Sequence, residues 1–139
     1  MNPREIRWVS EEVVLAVHNE QIEEHGGARG LRDASLLSSA ITRPRNVAAY
    51  GSDPDLADLA AAYAIGIARN HPFVDGNKRT AIVVAAGVFL PVNGYELNAA
   101  NKDLVRTMLL VADGSMQEQE LAAWFRQWMR PLPQQEDEP

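Results

Sequence analysis

The stretch Asn77-Lys78-Arg79-Thr80-Ala81-Ile82-Val83-Val84-Ala85-Ala86-Gly87-Val88-Phe89-Leu90-Pro91-Val92-Asn93 decides the fold. It opens on polar residues, and its body, Ala81 to Leu90, is apolar on nearly every face of a helix. A helix without a polar face belongs in an interior. The sequence therefore predicts a central buried helix over about 77–93, stopped by Gly94 in the C′ position. Pro91 lies late in it. Its ring opposes the carbonyl of Gly87, which predicts a bend or an early end.

Working outward toward the N-terminus, Asp53-Pro54-Asp55 supplies a cap, a proline in the first turn and an acid, which together start a helix. Leu56, Leu59, Ala60, Tyr63 and Ile67 follow at helical spacing, and this helix should end near Asn70. Farther upstream, Ser10 is a candidate N-cap followed by Glu11 and Glu12. Val13, Val14, Val17 and Ile22 form a rough stripe that leaves His18 on the surface, and Gly26 and Gly27 stop the helix. Gly26 to Arg32 reads as a loop, with His25 beside it as a loop residue. Asp33 caps a second helix bearing Leu36, Leu37, Ala40 and Ile41. Pro44 should end it, leaving Arg43 to Ser52 as an irregular connection.

Toward the C-terminus, Tyr95-Glu96-Leu97 reads as a short extended segment and Asn98 to Val111 as a helix, with Leu104, Met108 and Val111 on one stripe. Asp113-Gly114 is a turn. Ser115 with Glu118 fits a capping box for a last helix carrying Leu121, Trp124, Phe125 and Trp128. Aromatic residues at helical spacing favour the core over a partner groove. Pro131 to Pro139 is proline-rich and acidic, the composition of a disordered tail. The expectation is an all-α domain over 1–130, a compact helical bundle, with a tail over 131–139.

Composition narrows the function. With 139 residues and a formal charge of −6, the chain lacks the cationic excess that direct nucleic-acid binding requires. It has no cysteine, which excludes a disulfide scaffold, a thiolate metal site and a cysteine nucleophile. The charged segment Met1 to Trp8 does not read as a signal peptide. The longest uncharged run, Thr80 to Tyr95, falls short of the roughly 20 residues of a membrane span. The expected location is the cytoplasm, away from the membrane.

The chemistry concentrates in His71-Pro72-Phe73-Val74-Asp75-Gly76-Asn77-Lys78-Arg79, a polar loop between two apolar helices. A helix start offers free N–H groups and a positive partial charge, a ready anion site. Gly76 lets backbone approach a ligand closely, and Lys78 and Arg79 add positive charge, so phosphate is the natural guest. Asp75 adds a carboxylate, and Mg2+ typically binds through one or two carboxylates with substrate phosphates and water. His71 can accept a proton near neutral pH. These are the parts of phosphoryl or nucleotidyl transfer. Phe73, apolar among polar neighbours, would anchor the loop in the core. Taken singly, Asn77 could be an N-cap, His71 a core histidine, Asp75 a helix-dipole partner and Lys78 and Arg79 a solvated helix end; their conjunction favours a functional site. The loop is not a Walker A motif, since the first glycine and the Gly-Lys pair are missing. His18, His25 and His71 have no metal-ligand spacing.

This loop resembles the Fic/Doc signature H-x-F-x-[DE]-x-N-x-R, with every fixed position present. Glu24-His25-Gly26-Gly27, Gly30-Leu31-Arg32-Asp33, Leu36-Leu37 and Ala40 resemble the N-terminal part of death-on-curing (Doc) toxins, and the resemblance covers about Ile6 to Arg130. It implies a Fic-type helical bundle. It also implies roles: His71 as general base, Asp75 as Mg2+ ligand, Asn77 with Gly76 and nearby amides holding phosphate oxygens, and Arg79 neutralising nucleotide phosphate. AMP-transferring Fic enzymes read H-P-F-x-x-G-N-G-R-x-x-R. Here Ile82 replaces the last arginine and Lys78 the second glycine; lysine at that place resembles Doc toxins, which move the γ-phosphate of ATP to elongation factor Tu and halt translation. Pro72 and Gly76 follow the Fic pattern instead. An AMP-transferring enzyme and a non-catalytic nucleotide- or partner-binding module are the alternatives. No Ser or Thr has an acid four residues later, so the [ST]-x-x-x-[ED]-[GN] self-inhibitory helix is missing. The resemblance implies restraint in trans by a Phd-like antitoxin.

Overall fold

The computed structural model describes residues 6–133. Six helices and one two-stranded ribbon make up these residues: α1 Glu11–His25, α2 Ala34–Tyr50, α3 Leu56–Asn70, α4 over 77–92, β1 Tyr95–Leu97, α5 Asn101–Ala112, α6 Glu118–Trp128 and β2 Met129–Pro131. The domain is all-α, as its sequence predicts. Among the described residues no helix is long and apolar enough to cross a membrane.

The centre of the bundle is α3 rather than α4, which corrects the expectation drawn from residues 77–93. Every residue of α3 from Leu56 to Ala68 is buried except the partly covered Asp58. Apolarity alone ranks α4 higher, but α3 is rich in alanine. Small side chains let neighbours approach from all sides, and α2, α4, α5 and α6 all pack on it. Gly66 marks the closest approach: a Cβ there would sit 3.1 Å from Ala40 Cα and 3.2 Å from Ala40 O in α2. Helix α4 buries one face, through Asn77, Thr80, Ala81, Val84, Ala85, Phe89 and Leu90, and leaves Lys78, Arg79 and Gly87 exposed.

Several boundaries differ from expectation for local reasons. Pro44 does not end α2, which runs on to Tyr50, so 43–50 is helical rather than irregular. Pro44 itself is buried, and its packing, with that of the partly buried Ile41, Val47 and Ala48 against the core, outweighs one missing N–H. Asp55, not Asp53, caps α3, in a reciprocal capping box with Asp58. Asp53 lies outside it in a left-handed conformation, φ 52°. Pro91 does not end α4 early. Residues Val83–Phe89 wind as a π-helix, and Leu90 N–H reaches Ala85 O, five residues back. The wider turn takes in Pro91 and the helix ends at Val92. The last helix is capped by Gln117 with Glu120, two residues beyond the expected Ser115 and Glu118. Within it Phe125 is fully buried while Trp124 and Trp128 are partly buried.

Ser10, Asp33 and Gly26 cap as expected. The extended segment Tyr95–Leu97 forms and pairs antiparallel with Met129–Pro131, Glu96 facing Arg130. Leu132 N–H continues the ribbon to Gly94 O, 2.9 Å. Ordered structure thus passes the expected boundary at residue 130; residues 134–139 of the expected tail lie outside the described part.

Candidate active site

Helix α3 stops because His71 adopts the left-handed conformation, φ 52° and ψ 56°. That conformation costs a non-glycine residue of the order of 1 kcal/mol or more, and strain of this kind collects at functional sites. Arg32 holds it: its Nε donates to His71 O at 2.7 Å and its Nη2 to Asn70 O at 2.8 Å. One guanidinium thereby satisfies two of the carbonyls that a helix end leaves open.

The loop then lies between α1 and the segment 27–33. Arg32 N–H and Asp33 N–H both donate to Pro72 O, and Val74 N–H donates to Gly30 O. Phe73 is buried, pairs through its backbone with Leu31, and anchors the loop as expected. Asn77 is buried too. Its Oδ1 accepts Phe73 N–H at 3.0 Å and its Nδ2 donates to Phe73 O at 2.9 Å. The Asn77 side chain therefore locks the loop and does not cap the helix. The capping position belongs to Gly76, φ 79°, which offers no side chain to the N–H groups behind it. Asn77 Nδ2 also lies 3.4 Å from His71 Nδ1, too long a contact to fix the tautomer of the ring.

Asp75 turns its carboxylate into this site. Oδ1 accepts Gly76 N–H at 2.8 Å and Oδ2 accepts Ala28 N–H at 3.2 Å. The bond from Ala28, then that from Gly76, hold its pKa below the usual carboxylate value, and the charges of Arg79 and His18 add to this. Asp75 is thus an anion with further lone pairs directed to solvent. Among the described residues no three His, Cys, Asp or Glu side chains cluster as a metal site. A lone carboxylate suits Mg2+ only when phosphate and water complete the shell.

An open cavity of about 580 Å3 is lined by His25, Gly26, Gly27, His71, Val74, Asp75, Gly76, Asn77, Lys78 and Arg79. It brings together every residue singled out in the sequence except Phe73, which lies beneath it. Three participants, His18, Arg32 and His25, escaped the sequence reading. His18 is not on the surface: it is 3% exposed, its ring stacks on Phe73 with centroids 3.8 Å apart, and its Nε2 lies 2.8 Å from Asp75 O. The spacing of Val14, His18, Gln21 and Ile22, all buried, was the signal available. Arg32 had none, since its partners are 38 and 39 residues away. His25 closes α1 rather than lying in the loop, and lines the cavity.

A helix start without a cap, an ionised carboxylate and an exposed histidine surround one cavity, and the sequence agrees with a known group. Residues 8–89 match the Fic/DOC family, and the chain belongs to that family. It is 49% identical over 83 residues to Toxin Doc of Mycolicibacterium smegmatis, a match covering 58% of this chain and 62% of that protein. It is 36% identical over 92 residues to Protein kinase doc of Escherichia phage P1, covering 66% of this chain and 72% of that one.

Proposed function

We propose that the chain is a Doc-type toxin, a protein kinase that moves the γ-phosphate of ATP to a hydroxyl of a target protein. The observation that carries this reading is the single cavity shared by His71, Asp75 and the uncapped start of α4. The names of the two relatives, a toxin and a protein kinase, support it. Phosphate oxygens are held by the N–H groups of Asn77, Lys78 and Arg79 and by the two cationic side chains. His71 faces the target hydroxyl, and the ring nitrogen with the lone pair takes its proton as the oxygen attacks the γ-phosphorus. The bond between the γ-phosphorus and the bridging oxygen breaks, and ADP leaves with its charge offset by Lys78 and Arg79. Mg2+ fits Asp75 as ligand and would supply neutralisation of phosphate charge when bound.

The reading names elongation factor Tu as target, inhibited translation as outcome, the cytoplasm as location and a Phd-like antitoxin as restraint. Transfer of AMP has less support. Lys78 stands where that activity has glycine and Ile82 where it has arginine. Pro72, which matches the AMP-transferring pattern, has a role in the scaffold, as the acceptor for Arg32 and Asp33.

The test is incubation with Mg2+, bacterial lysate and ATP labelled at the α or the γ phosphate, repeated with purified elongation factor Tu. Label from γ alone, reduced about a hundredfold or more in His71→Ala, is expected. Label from α would replace the reading with AMP transfer. Transfer that survives His71→Ala would remove the general base.

A further inference from the structure

We propose that His18 is a positioning residue that aims the Asp75 carboxylate and the first turn of α4. The inference rests on the reading of Asp75 as the Mg2+ ligand of the transfer site. His18 takes no part in the chemistry above, yet one buried ring contacts two loop residues and lies beside a third. It stacks on Phe73 at an interplanar angle of 5°, its Nε2 lies 2.8 Å from Asp75 O, and a Cβ on Gly76 would lie 3.7 Å from its Cδ2 and Nε2. A carbonyl oxygen only accepts, so Nε2 carries the proton and donates.

The bonded oxygen belongs to the peptide group joining Asp75 to Gly76. The N–H of that same group donates to Asp75 Oδ1, 2.8 Å. A peptide group is planar, so holding its oxygen sets the direction of its N–H, and the N–H sets the carboxylate. The next carbonyl, Gly76 O, accepts Thr80 N–H at 3.0 Å and begins α4. A tilt of the 75–76 peptide therefore moves the metal-binding carboxylate and the phosphate-facing N–H groups together. His18, fixed in α1 and against Phe73, resists that tilt. Groups that orient a metal ligand from behind typically change metal affinity by about 10- to 100-fold.

Two variants separate the hydrogen bond from the packing. His18→Phe keeps a ring on Phe73 and loses the donor. His18→Gln keeps a donor the same number of bonds from the main chain and loses the stacking. In ligand-free protein, the Gly76 and Ala28 amide signals, which report the two bonds on the Asp75 carboxylate, should move in His18→Phe and stay near their original positions in His18→Gln. Calorimetric affinity for Mg2+–ATP should fall about tenfold or more in His18→Phe, binding of metal-free ATP should weaken as well because the N–H groups move with the carboxylate, and His18→Gln should recover most of both losses. Unmoved amides and unchanged affinity in a folded His18→Phe would overturn the proposal. If His18→Phe does not fold, His18→Gln decides: near-normal amides uphold the role of the donor, and displaced amides in a folded chain overturn it. Amides that respond as expected in a protein that never binds Mg2+–ATP would leave the positioning role intact and sink the functional reading instead.

Discussion

Helix α3 and the loop 71–76 adjoin in sequence and are built in opposite ways. From Leu56 to Ala68 the helix is held by side-chain burial, with alanines that let four other helices close around it. In the loop, His71, Val74 and Asp75 are exposed, and the fixed parts are backbone carbonyls and amides gripped by Arg32, Asn77 and His18. The framework uses its side chains for cohesion; the site uses its backbone, which leaves its side chains free for a ligand. Damage to the first should cost stability, and damage to the second should cost geometry.

The sharpest way to break this contrast is inside α3. Ile67 is fully buried, and Ile67→Ala should destabilise by about 3 kcal/mol, lowering Tm by roughly 10 °C, while nucleotide affinity of the folded fraction at low temperature stays near normal. A calorimetric scan with a binding titration checks both halves. Next comes Asn77→Ala. It leaves the buried Phe73 N–H and carbonyl without partners, a loss of about 2 kcal/mol, and here nucleotide affinity should fall as well. Unchanged affinity would mean that the loop holds its shape without Asn77.

An electrostatic contact gives a smaller effect. Arg126 bonds Asp55 at 2.7 and 3.0 Å and Asp58 at 3.2 Å, and the hydrogen bond from Arg126 is the main cause that lowers the Asp55 pKa to about 2 from 3.8. A depressed carboxylate pKa adds stability that is complete above its unfolded value, near 4, and is lost as pH falls toward 2. Both partners are half exposed, so screening reduces the contribution to about 1 kcal/mol. Arg126→Met should lower stability at pH 7 by that amount and flatten its decline between pH 4 and 2, which denaturant titrations at several pH values would reveal. The smallest effect belongs to Thr80. It is the described buried side chain whose oxygen has no hydrogen-bond partner, and Thr80→Val should be neutral or stabilising by up to about 1 kcal/mol. A clear loss of stability would point to an unseen partner for the hydroxyl.

The same contrast governs what could be read from the chain. Caps at Ser10 and Asp33, the stop at Gly26 and the periodicity of the helices are local, so they were legible. The loop was legible because its residue types cluster within nine positions. Pro44 was misjudged because a proline rule is local while the burial that retains α2 is not. The rank of α3 and α4 was inverted because hydropathy rewards large apolar side chains, whereas a central helix needs small ones. His18 was misplaced because two polar residues, His18 and Gln21, share the buried stripe with Val14 and Ile22. Arg32 could not be found at all: its bonds depend on two segments meeting in three dimensions.

The β1–β2 ribbon has a practical consequence. It fastens the end of the described chain to Gly94, just past the end of α4 opposite the cavity, and α4 puts roughly 20 Å between the two. Since the sequence holds no cysteine, Pro133→Cys would create a single thiol for a dye. Energy transfer from that dye to a fluorescent nucleotide would give a ruler of nearly fixed length for watching ligand arrival.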